Sequence, residues 1–354
     1  MFRKTAFAAA LIAAFAASPA FAKNQVYVYG QIDIGSSATS HRLNNGVLID
    51  QFSLAGASPR SESFIGFAAV EHFGPAVSAG AVFEMSILSR QPQASLLRGG
   101  SAHTNPNVPA TRQAYVFLSR EGVGGIRLGT FRNGFSEVRS ISPTSDNVVG
   151  GQFTGRHGRD GVDRFSSTSQ NALEVAIAPE WAQGTTFVVS GSAENARAQG
   201  AIGNGHTSET MTLAATHESS NWTASLVHGE SKVHGAWSLN RMQNTALAFE
   251  YRAESMTFGA VGEHMTSRGA LPATGFEATA LEVFAVRHIG NSDAFVSVGS
   301  GKSQSHRTVR TTALQAGLVK HLSSRTSLHA AAGIERASNG ARTTGYGLGL
   351  THAF

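Results

Sequence analysis

The chain has 354 residues, no cysteine, 39 glycines, and a formal net charge of +5 from 28 basic and 23 acidic residues. Because it has no cysteine, it is not one of the small secreted proteins that disulfides hold together. Its charge is mild and of mixed sign, which gives no argument for binding nucleic acid.

The first 22 residues, MFRKTAFAAALIAAFAASPAFA, have the pattern of a secretory signal peptide. Arg3 and Lys4 precede a short apolar run, and Ala20 and Ala22 form an A-x-A cleavage site. Cleavage after Ala22 would make Lys23 the first residue of the mature domain, 23–354. No later apolar run reaches the length of a membrane-spanning helix.

The rest of the chain alternates between apolar and polar residues in segments of about ten residues, which is typical of β-strands. We predict strands at 25–35, 60–72, 76–87, 112–121 and 124–132, with a polar loop between the first two. The longest polar segment, 133–170, follows. We predict eleven further strands at 171–178, 185–193, 208–217, 221–229, 243–251, 256–265, 276–287, 293–302, 310–321, 326–337 and 343–354.

The sequence therefore predicts an all-β protein with sixteen strands. Open sheets of this size are uncommon, and closure into a barrel removes the exposed edges. One face of each strand is apolar and the other carries Gly, Ser, Thr, Gln and charged residues, as in an antiparallel transmembrane β-barrel that faces lipid outside and water inside. A barrel of sixteen strands encloses a lumen wide enough for a channel.

The last strand shows the alternation clearly. One parity carries large side chains and the other carries mainly glycine, and the large side chains are Tyr346, Leu348, Leu350, His352 and Phe354. Pairing of this strand with the first would close the barrel.

Several motifs resemble those of the general Gram-negative outer-membrane porins of the neisserial and β-proteobacterial type. VYVYGQIDIG (26–35) is similar to that family's opening strand, and SFIGFAAVEHFGPAVSAGAVFEM (63–85) to its first short turn and the flanking strands. RQAYVFLSREGVGGIRLGTFR (112–132), HLSSRTSLHAAAGIE (321–335) and the terminal GLTHAF are similar to later family motifs, in the same order.

This resemblance implies a homotrimer in the outer membrane whose third extracellular loop, here within 133–170, folds inward and narrows the pore. It also implies a passive channel for small hydrophilic solutes and ions, and not an enzyme. The last strand would carry the signal that the outer-membrane assembly machinery recognises. The expected partners are membrane lipid and lipopolysaccharide, with no nucleic acid and no cofactor.

The chain departs from the family along the basic inner wall. Phe64 and Glu174 stand where the family has arginine, whereas Arg112 matches. The loop is balanced, with four acids against four arginines and one histidine: Glu137, Asp146, Asp160, Asp163, Arg139, Arg156, Arg159, Arg164 and His157. We therefore expect weak selectivity with a lean to anions. The candidate pore and constriction residues are Arg60, Glu62, Glu84, Arg112, Arg127, Arg132, Glu137, Asp146 and Glu174.

Two other functions are consistent with a barrel. One is an adhesin or structural barrel with a plugged lumen, and the other is a barrel hydrolase, although no hydrolase motif is present. The histidines are scattered without an H-E-x-x-H pattern, so the sequence predicts no metal site.

Overall fold

The computed structural model describes residues 22–57, 63–88, 111–143, 168–196, 206–234, 239–269, 275–304 and 308–354. These ranges contain seventeen strands, one α-helix and one short 3-10 helix. Within them, neither helix is long and apolar enough to cross a membrane.

The elements follow one another in chain order. The first part comprises β1 (Ala22–Arg42), β2 (Leu48–Ala57), β3 (Ser63–Phe73), β4 (Val77–Leu88), β5 (Thr111–Arg120), β6 (Gly124–Arg132), α1 (Gly134–Ser140), β7 (Thr168–Ile177) and the 3-10 helix Glu180–Ala182. The second part comprises β8 (Thr185–Ala196), β9 (His206–Glu218), β10 (Trp222–His234), β11 (Leu239–Arg252), β12 (Met256–Gly269), β13 (Phe276–Ile289), β14 (Ser292–Gln304), β15 (Thr308–His321), β16 (Thr326–Ala337) and β17 (Arg342–Ala353).

The strands form one closed antiparallel sheet. From β3 to β17 each strand pairs with the next, and β17 pairs with β1 from Gln31 to Arg42. β3 pairs with Ala22–Gln31 of β1, whereas β2 pairs with the following stretch, Ile34–Arg42. β2 and β3 thus occupy one position in the wall. Among the described residues the barrel has sixteen positions, and the predicted sixteen-stranded barrel is confirmed.

The two faces of the wall differ in polarity in the sense that the sequence predicts. On β14, Val296 and Val298 are about half exposed on the outer face, whereas Ser297 between them is buried on the inner face. On β7, Leu173 is exposed outside and Glu174 is buried inside. A water-soluble sheet would bury its aliphatic side chains, so this arrangement suits a barrel surrounded by lipid.

The two ends of the barrel also differ. At the end near Ala22 and Phe354, tight turns connect the strands, and Gly74 and Gly122 adopt positive φ angles of 79° and 72° in two of them. An aromatic row, Trp222, Tyr251 and Phe258, lies in register on the outer face near this end. The longer connections lie at the opposite end. In outer-membrane barrels, short turns mark the periplasmic side and aromatic girdles mark the interfaces.

The polar loop predicted between the first two strands is wrong. β1 continues to Arg42 and β2 already begins at Leu48, so the two form a hairpin. The alternation continues through this region, because Ser37 and Thr39 are buried on the inner face. Short hydroxyl side chains fit a strand whose inner face is polar. Because they are also common in loops, the sequence pattern did not identify this part of the strand.

Residues 1–21 lie outside the described part, and with them the predicted leader and Ala20. Ala22 and Lys23 are the first residues of β1. The cleavage site therefore stays a prediction.

Candidate pore lining and constriction site

Four inward side chains form the first polar cluster of the inner wall. The Tyr29 hydroxyl donates to Oε1 of Glu84 over 3.0 Å, and Nη1 of Arg112 lies 3.7 Å from Oε2 of the same carboxylate. The Arg112 guanidinium stacks on the Phe64 ring, 4.1 Å from its centroid. Arg112 reaches Glu84 at a register shift between β4 and β5. Phe64, which stands where the family has arginine, thus packs against Arg112, an arginine from another strand.

A second ion pair joins β6 and β7. Arg127 and Glu174 are direct cross-strand partners, and Nε of Arg127 lies 2.6 Å from Oε1 of Glu174. The guanidinium lies over the Phe131 ring at 4.4 Å and donates to the carbonyl oxygen of Arg132 over 2.9 Å. Glu174 therefore does not leave a free negative charge in the wall, because Arg127 neutralises it.

The described part of the 133–170 segment begins with a capped helix. The Asn133 side chain accepts from the backbone N–H of Phe135 and donates to Ser169 at the start of β7, so it joins α1 to the wall. Phe135 and Val138 are almost completely buried. They pack against inward side chains of β10–β13, among them Val227, Ala246, Val261, Met265 and Phe284.

This contact corrects the expectation that the inner face is polar throughout. The inner face of β10–β13 carries an apolar patch, and its side chains are buried in one cluster with Phe135 and Val138 of α1. The helix thereby converts wall positions that would face water into a local core. The patch has the same period of two as the outer face, so the sequence alone does not distinguish it.

Buried polar contacts accompany the apolar ones. Arg139 of α1 forms an ion pair with Glu263 of β12, which also accepts a hydrogen bond from Asn244. The Ser142 hydroxyl donates to Glu282 over 2.8 Å. A buried pair of this kind is costly to break because the remaining charge has no access to water. Residues 133–143 are therefore held against the wall at two separate places.

Glu137 is the charged residue of α1 whose side chain keeps contact with water, although protein atoms surround much of it. Desolvation by the surrounding protein raises the pKa of its carboxyl above the usual value, Arg127 opposes this rise, and Glu174 and Glu218 add to it. Its charge therefore changes at a higher pH than that of an ordinary glutamate.

A hydrogen-bonded chain near the short-turn end resembles the partners of a hydrolase. The Thr257 hydroxyl lies 3.0 Å from Nε2 of His288, and Nδ1 of His288 lies 2.8 Å from Asp293. His321 contacts the second oxygen of Asp293 at 2.8 Å. Thr257 lies in the ladder opposite Val286, where neighbouring backbone N–H groups serve strand pairing.

The sequence matches the family model for Gram-negative porins over residues 8–354. The chain belongs to the Gram-negative porin family. The resemblance seen in the motifs is thereby confirmed, and the protein is a channel-forming barrel of the outer membrane of a Gram-negative bacterium. A comparison with curated proteins finds no match.

Solved structures with the porin fold include three informative relatives. An anion-selective porin from Comamonas acidovorans is 16% identical with a TM-score of 0.70, and the alignment covers 94% of this chain and 100% of that one. OmpF of Salmonella typhi is 14% identical, with a TM-score of 0.66 and coverages of 94% and 98%. OmpT of Vibrio cholerae, an outer membrane protein solved in a trimer form, is 10% identical, with a TM-score of 0.65 and coverages of 94% and 99%. At these identities the likeness shows the fold alone.

The structure of this porin brings together four of the predicted pore residues. Glu84 with Arg112 and Arg127 with Glu174 form the two ion pairs, and Glu137 lies on α1 close enough to interact with Arg127. Arg132 is the last residue of β6 and its side chain is exposed. Its backbone carbonyl oxygen accepts the hydrogen bond from Arg127. The remaining predicted positions, Arg60, Glu62, Asp146, Arg156, His157, Arg159, Asp160, Asp163 and Arg164, lie outside the described residues.

The sequence did not predict which residues of the barrel wall contact α1. Glu263, Asn244 and Glu282 lie on strands for which the sequence predicts only a place in the barrel wall. One signal was available, because Glu263 stands between Val261 and Met265 on a single parity. An acid inside an apolar inward run predicts a basic partner from elsewhere in the chain. Among the described residues, no group of three or more acidic or histidine side chains could hold a metal ion.

Proposed function

We propose that this porin is a weakly selective channel for small hydrophilic solutes and ions, with a lean to anions, and that the 133–170 segment narrows its pore. The observation that carries the proposal is the docking of residues 133–143 onto the inner wall through Phe135, Val138 and Arg139. This docking supports the proposal, because a segment attached to the inner wall would occupy part of the cross-section of the lumen.

The weak selectivity follows from pairing of the wall charges. Arg112 and Arg127 would attract anions, but Glu84 and Glu174 lie against them. Ions in a narrow pore pass within about one Debye length, ~8 Å at physiological salt, of such pairs. A permeating ion therefore interacts mainly with the dipole of each ion pair, because the two charges of the pair nearly cancel. The chain's net positive charge supplies the lean to anions.

The test is a reversal potential across a tenfold KCl gradient in planar bilayers. We expect a small potential of the sign that anion preference gives, and it should decrease further as the salt concentration rises on both sides. A strong preference for cations would contradict the proposed lean. Absence of any conductance from correctly folded protein would favour a plugged structural barrel.

We further propose that the protein forms a homotrimer, as the Vibrio cholerae OmpT structure does, and that its outer wall contacts membrane lipid and lipopolysaccharide. Analytical ultracentrifugation in detergent, with correction for bound detergent, should give the mass of three chains. A monomer as the sole species at all protein concentrations would exclude the trimer.

We propose that the barrel is not an enzyme. The Thr257–His288–Asp293 chain is the arrangement that most favours a hydrolase, but the Thr257 side chain is only 8% exposed and lies within a paired strand. An oxyanion needs free N–H donors beside the nucleophile. A fluorophosphonate probe should leave the purified protein unlabelled, and labelling that Thr257→Val abolishes would establish the hydrolase instead.

A further inference from the structure

Two histidines hold one carboxylate at the end of the barrel with the short turns. Nδ1 of His288 lies 2.8 Å from Oδ1 of Asp293, and Nε2 of His321 lies 2.8 Å from Oδ2 of the same carboxylate. His288 of β13 and Asp293 of β14 are direct cross-strand partners on either side of the turn at Gly290. We call His288, Asp293 and His321 the mouth cluster. The Thr257 hydroxyl, 3.0 Å from Nε2 of His288, joins the cluster to β12.

The strand alternation places the mouth cluster inside the barrel. His288 shares its face of β13 with the buried Phe284, whereas Val283 is exposed on the outer face. Asp293 shares its face of β14 with the buried Ser297. The side chains of the cluster are between 31% and 46% exposed. Water and ions in the lumen therefore reach them.

Apolar side chains separate the mouth cluster from the polar groups deeper in the lumen. The next inward positions along the three strands are Val286, Phe295 and Val319, and the last two are buried. Val319 is also the direct cross-strand partner of Asp293. On these strands the positions directly above the cluster thus carry no charge that could neutralise it.

The inward groups on either side of the mouth cluster are neutral or already paired. Thr257 lies opposite Arg252 of β11, and Nη1 of this arginine lies 2.9 Å from the Glu250 carboxylate. On the other side, His321 lies opposite the neutral Ser327 of β16. The charge of the cluster therefore has no further inward partner on β12 or β16 at its own level.

Other titratable groups lie close to the cluster in the fold. Deeper on β16, His329 is buried, and its Nε2 lies 3.8 Å from the buried Asp33 carboxylate. The remaining charged residues nearby are two of opposite sign in the adjoining turns and two on the outward parity of their strands: Glu254, Arg325, Arg287 and Lys320. The mouth cluster is thus the inward group at this rim whose charge depends on histidine.

We propose that the mouth cluster is a second selectivity site of the channel, which attracts cations at neutral pH and anions in acid. Histidine side chains change their charge between about pH 5 and pH 8, and hydrogen bonds to both oxygens favour an ionised carboxylate. With both imidazoles neutral the cluster carries one negative charge, and with both protonated it carries one positive charge. The inference rests on the channel function proposed above and adds a site that responds to the pH on the periplasmic side.

The experiment measures reversal potentials of the purified porin in planar bilayers, with 10 mM KCl on the side that the short turns face and 100 mM KCl on the other. At 10 mM salt the Debye length is about 30 Å, so a charge on the wall acts across the lumen. Acidification of the dilute side from pH 7.5 to pH 5.5 should raise the chloride-to-potassium permeability ratio about threefold, because the charge of the cluster changes by two units. The same acidification of the other side should have a smaller effect.

A single cysteine identifies the orientation of the barrel, because the chain contains none. Ser324 is exposed in the short turn between β15 and β16. Biotin is attached to the Ser324→Cys variant, and streptavidin is added to one compartment at a time. The compartment from which it lowers the conductance is the one that the short turns face.

Three variants separate the contributions of the cluster. His288→Gln/His321→Gln keeps a negative charge at both pH values and should lose most of the acid response. Asp293→Asn should already have a higher chloride-to-potassium ratio at pH 7.5. His217→Gln is the matched control, because His217 lies at the same end but on the outer face, where it contacts Thr185 at 2.8 Å and stacks on Trp222. This variant should respond to acid as wild type does.

Several outcomes would overturn the assignment. They are an acid response of the double variant equal to that of wild type, an equal loss in His217→Gln, and a wild-type response of the same size from either compartment. Heat-dependent gel mobility confirms the folding of each variant. Normal conductance with an unchanged reversal potential would refute the mouth cluster alone, whereas no conductance from folded wild type would refute the channel itself.

Discussion

Phe354 and Gly30 join the two ends of the barrel wall. The N–H of Phe354 donates to the Gly30 carbonyl oxygen over 3.1 Å, and the N–H of Gly30 donates to the Phe354 carbonyl oxygen over 3.2 Å. A Cβ atom on Gly30 would lie 2.6 Å from Cζ of the Phe354 ring and 2.5 Å from the Phe64 carbonyl oxygen. The absence of a side chain at Gly30 therefore allows the terminal aromatic ring to lie directly over the seam.

The first prediction is that Gly30→Val impairs closure of the barrel. The new side chain would displace the Phe354 ring and press on the backbone of β3, which cannot move without losing strand pairing. We expect a lower yield of folded protein and a lower temperature for loss of the compact gel band. Gly191→Val is the matched control, because nothing lies within 4 Å of a Cβ added to that strand glycine. Equal behaviour of the two variants would show that the seam tolerates a side chain.

Deletion of Phe354 should reduce assembly in cells far more than folding in vitro. Deletion removes the burial of one half-exposed aromatic side chain, about 2 kcal/mol, and the two backbone hydrogen bonds to Gly30, about 1 kcal/mol each, whereas loss of a recognition signal prevents insertion almost completely. Tyr346, Leu348, Leu350 and His352 share its outward face and complete the predicted signal. The measurement compares the amount in the outer membrane with refolding yield in detergent micelles. Normal abundance in cells would remove Phe354 from the signal.

Charge removal at the Arg127–Glu174 pair should change ion selectivity in opposite directions. Glu174→Gln leaves the arginine unbalanced and should favour anions, whereas Arg127→Gln should favour cations. One unit charge about 8 Å from the ion path contributes roughly 0.5 kcal/mol in water, a twofold to threefold change in the permeability ratio. Reversal potentials of both variants and of the double variant provide the check. The double variant should return close to wild type, and a shift of the same sign in both single variants would place the pair outside the ion path.

Arg112 provides a second test of the wall assignment. Arg112→Glu would place two carboxylates side by side with Glu84 and remove the stacking on Phe64. We expect a shift toward cations larger than that of Arg127→Gln, because the charge changes by two units. An unchanged reversal potential would mean that this cluster does not line the constriction.

Alternation along the strands predicts the barrel and the inward direction of Glu84, whereas Glu174 is a pore candidate only through the family resemblance, and Arg127 through the polarity pattern and the resemblance together. It could not predict how Arg112 reaches Glu84, because that contact depends on a register shift that leaves no mark in the polarity pattern. It could not predict the Arg139–Glu263 pair either, since these residues are 124 positions apart. Only closure of the barrel brings them together.

The contact between α1 and the wall gives a prediction about channel behaviour. Phe135 is completely buried, and Phe135→Ala should weaken the attachment of residues 133–143 by about 3 kcal/mol through lost contacts and a cavity. We expect more frequent transitions between conductance levels in single-channel records, with the barrel itself still heat-stable. Ser140→Ala, at an exposed position of the same helix, is the control. Records indistinguishable from wild type would show that Phe135 does not hold a constricting segment.

The last prediction concerns pH. Desolvation raises the pKa of Glu137, so this carboxyl loses its negative charge at a higher pH than an ordinary glutamate as the solution is acidified. The neutral form leaves Arg127 with less opposing charge nearby, and the anion preference should therefore increase as the pH falls below neutrality. In Glu137→Gln the side chain is neutral at every pH, so this variant should already show the increased anion preference at pH 7 and a smaller change on acidification. Reversal potentials of both proteins between pH 7 and pH 4, at constant salt, measure the difference. Parallel curves for wild type and variant would show that Glu137 does not influence the ion path, and residues 133–143 would then lie away from the constriction.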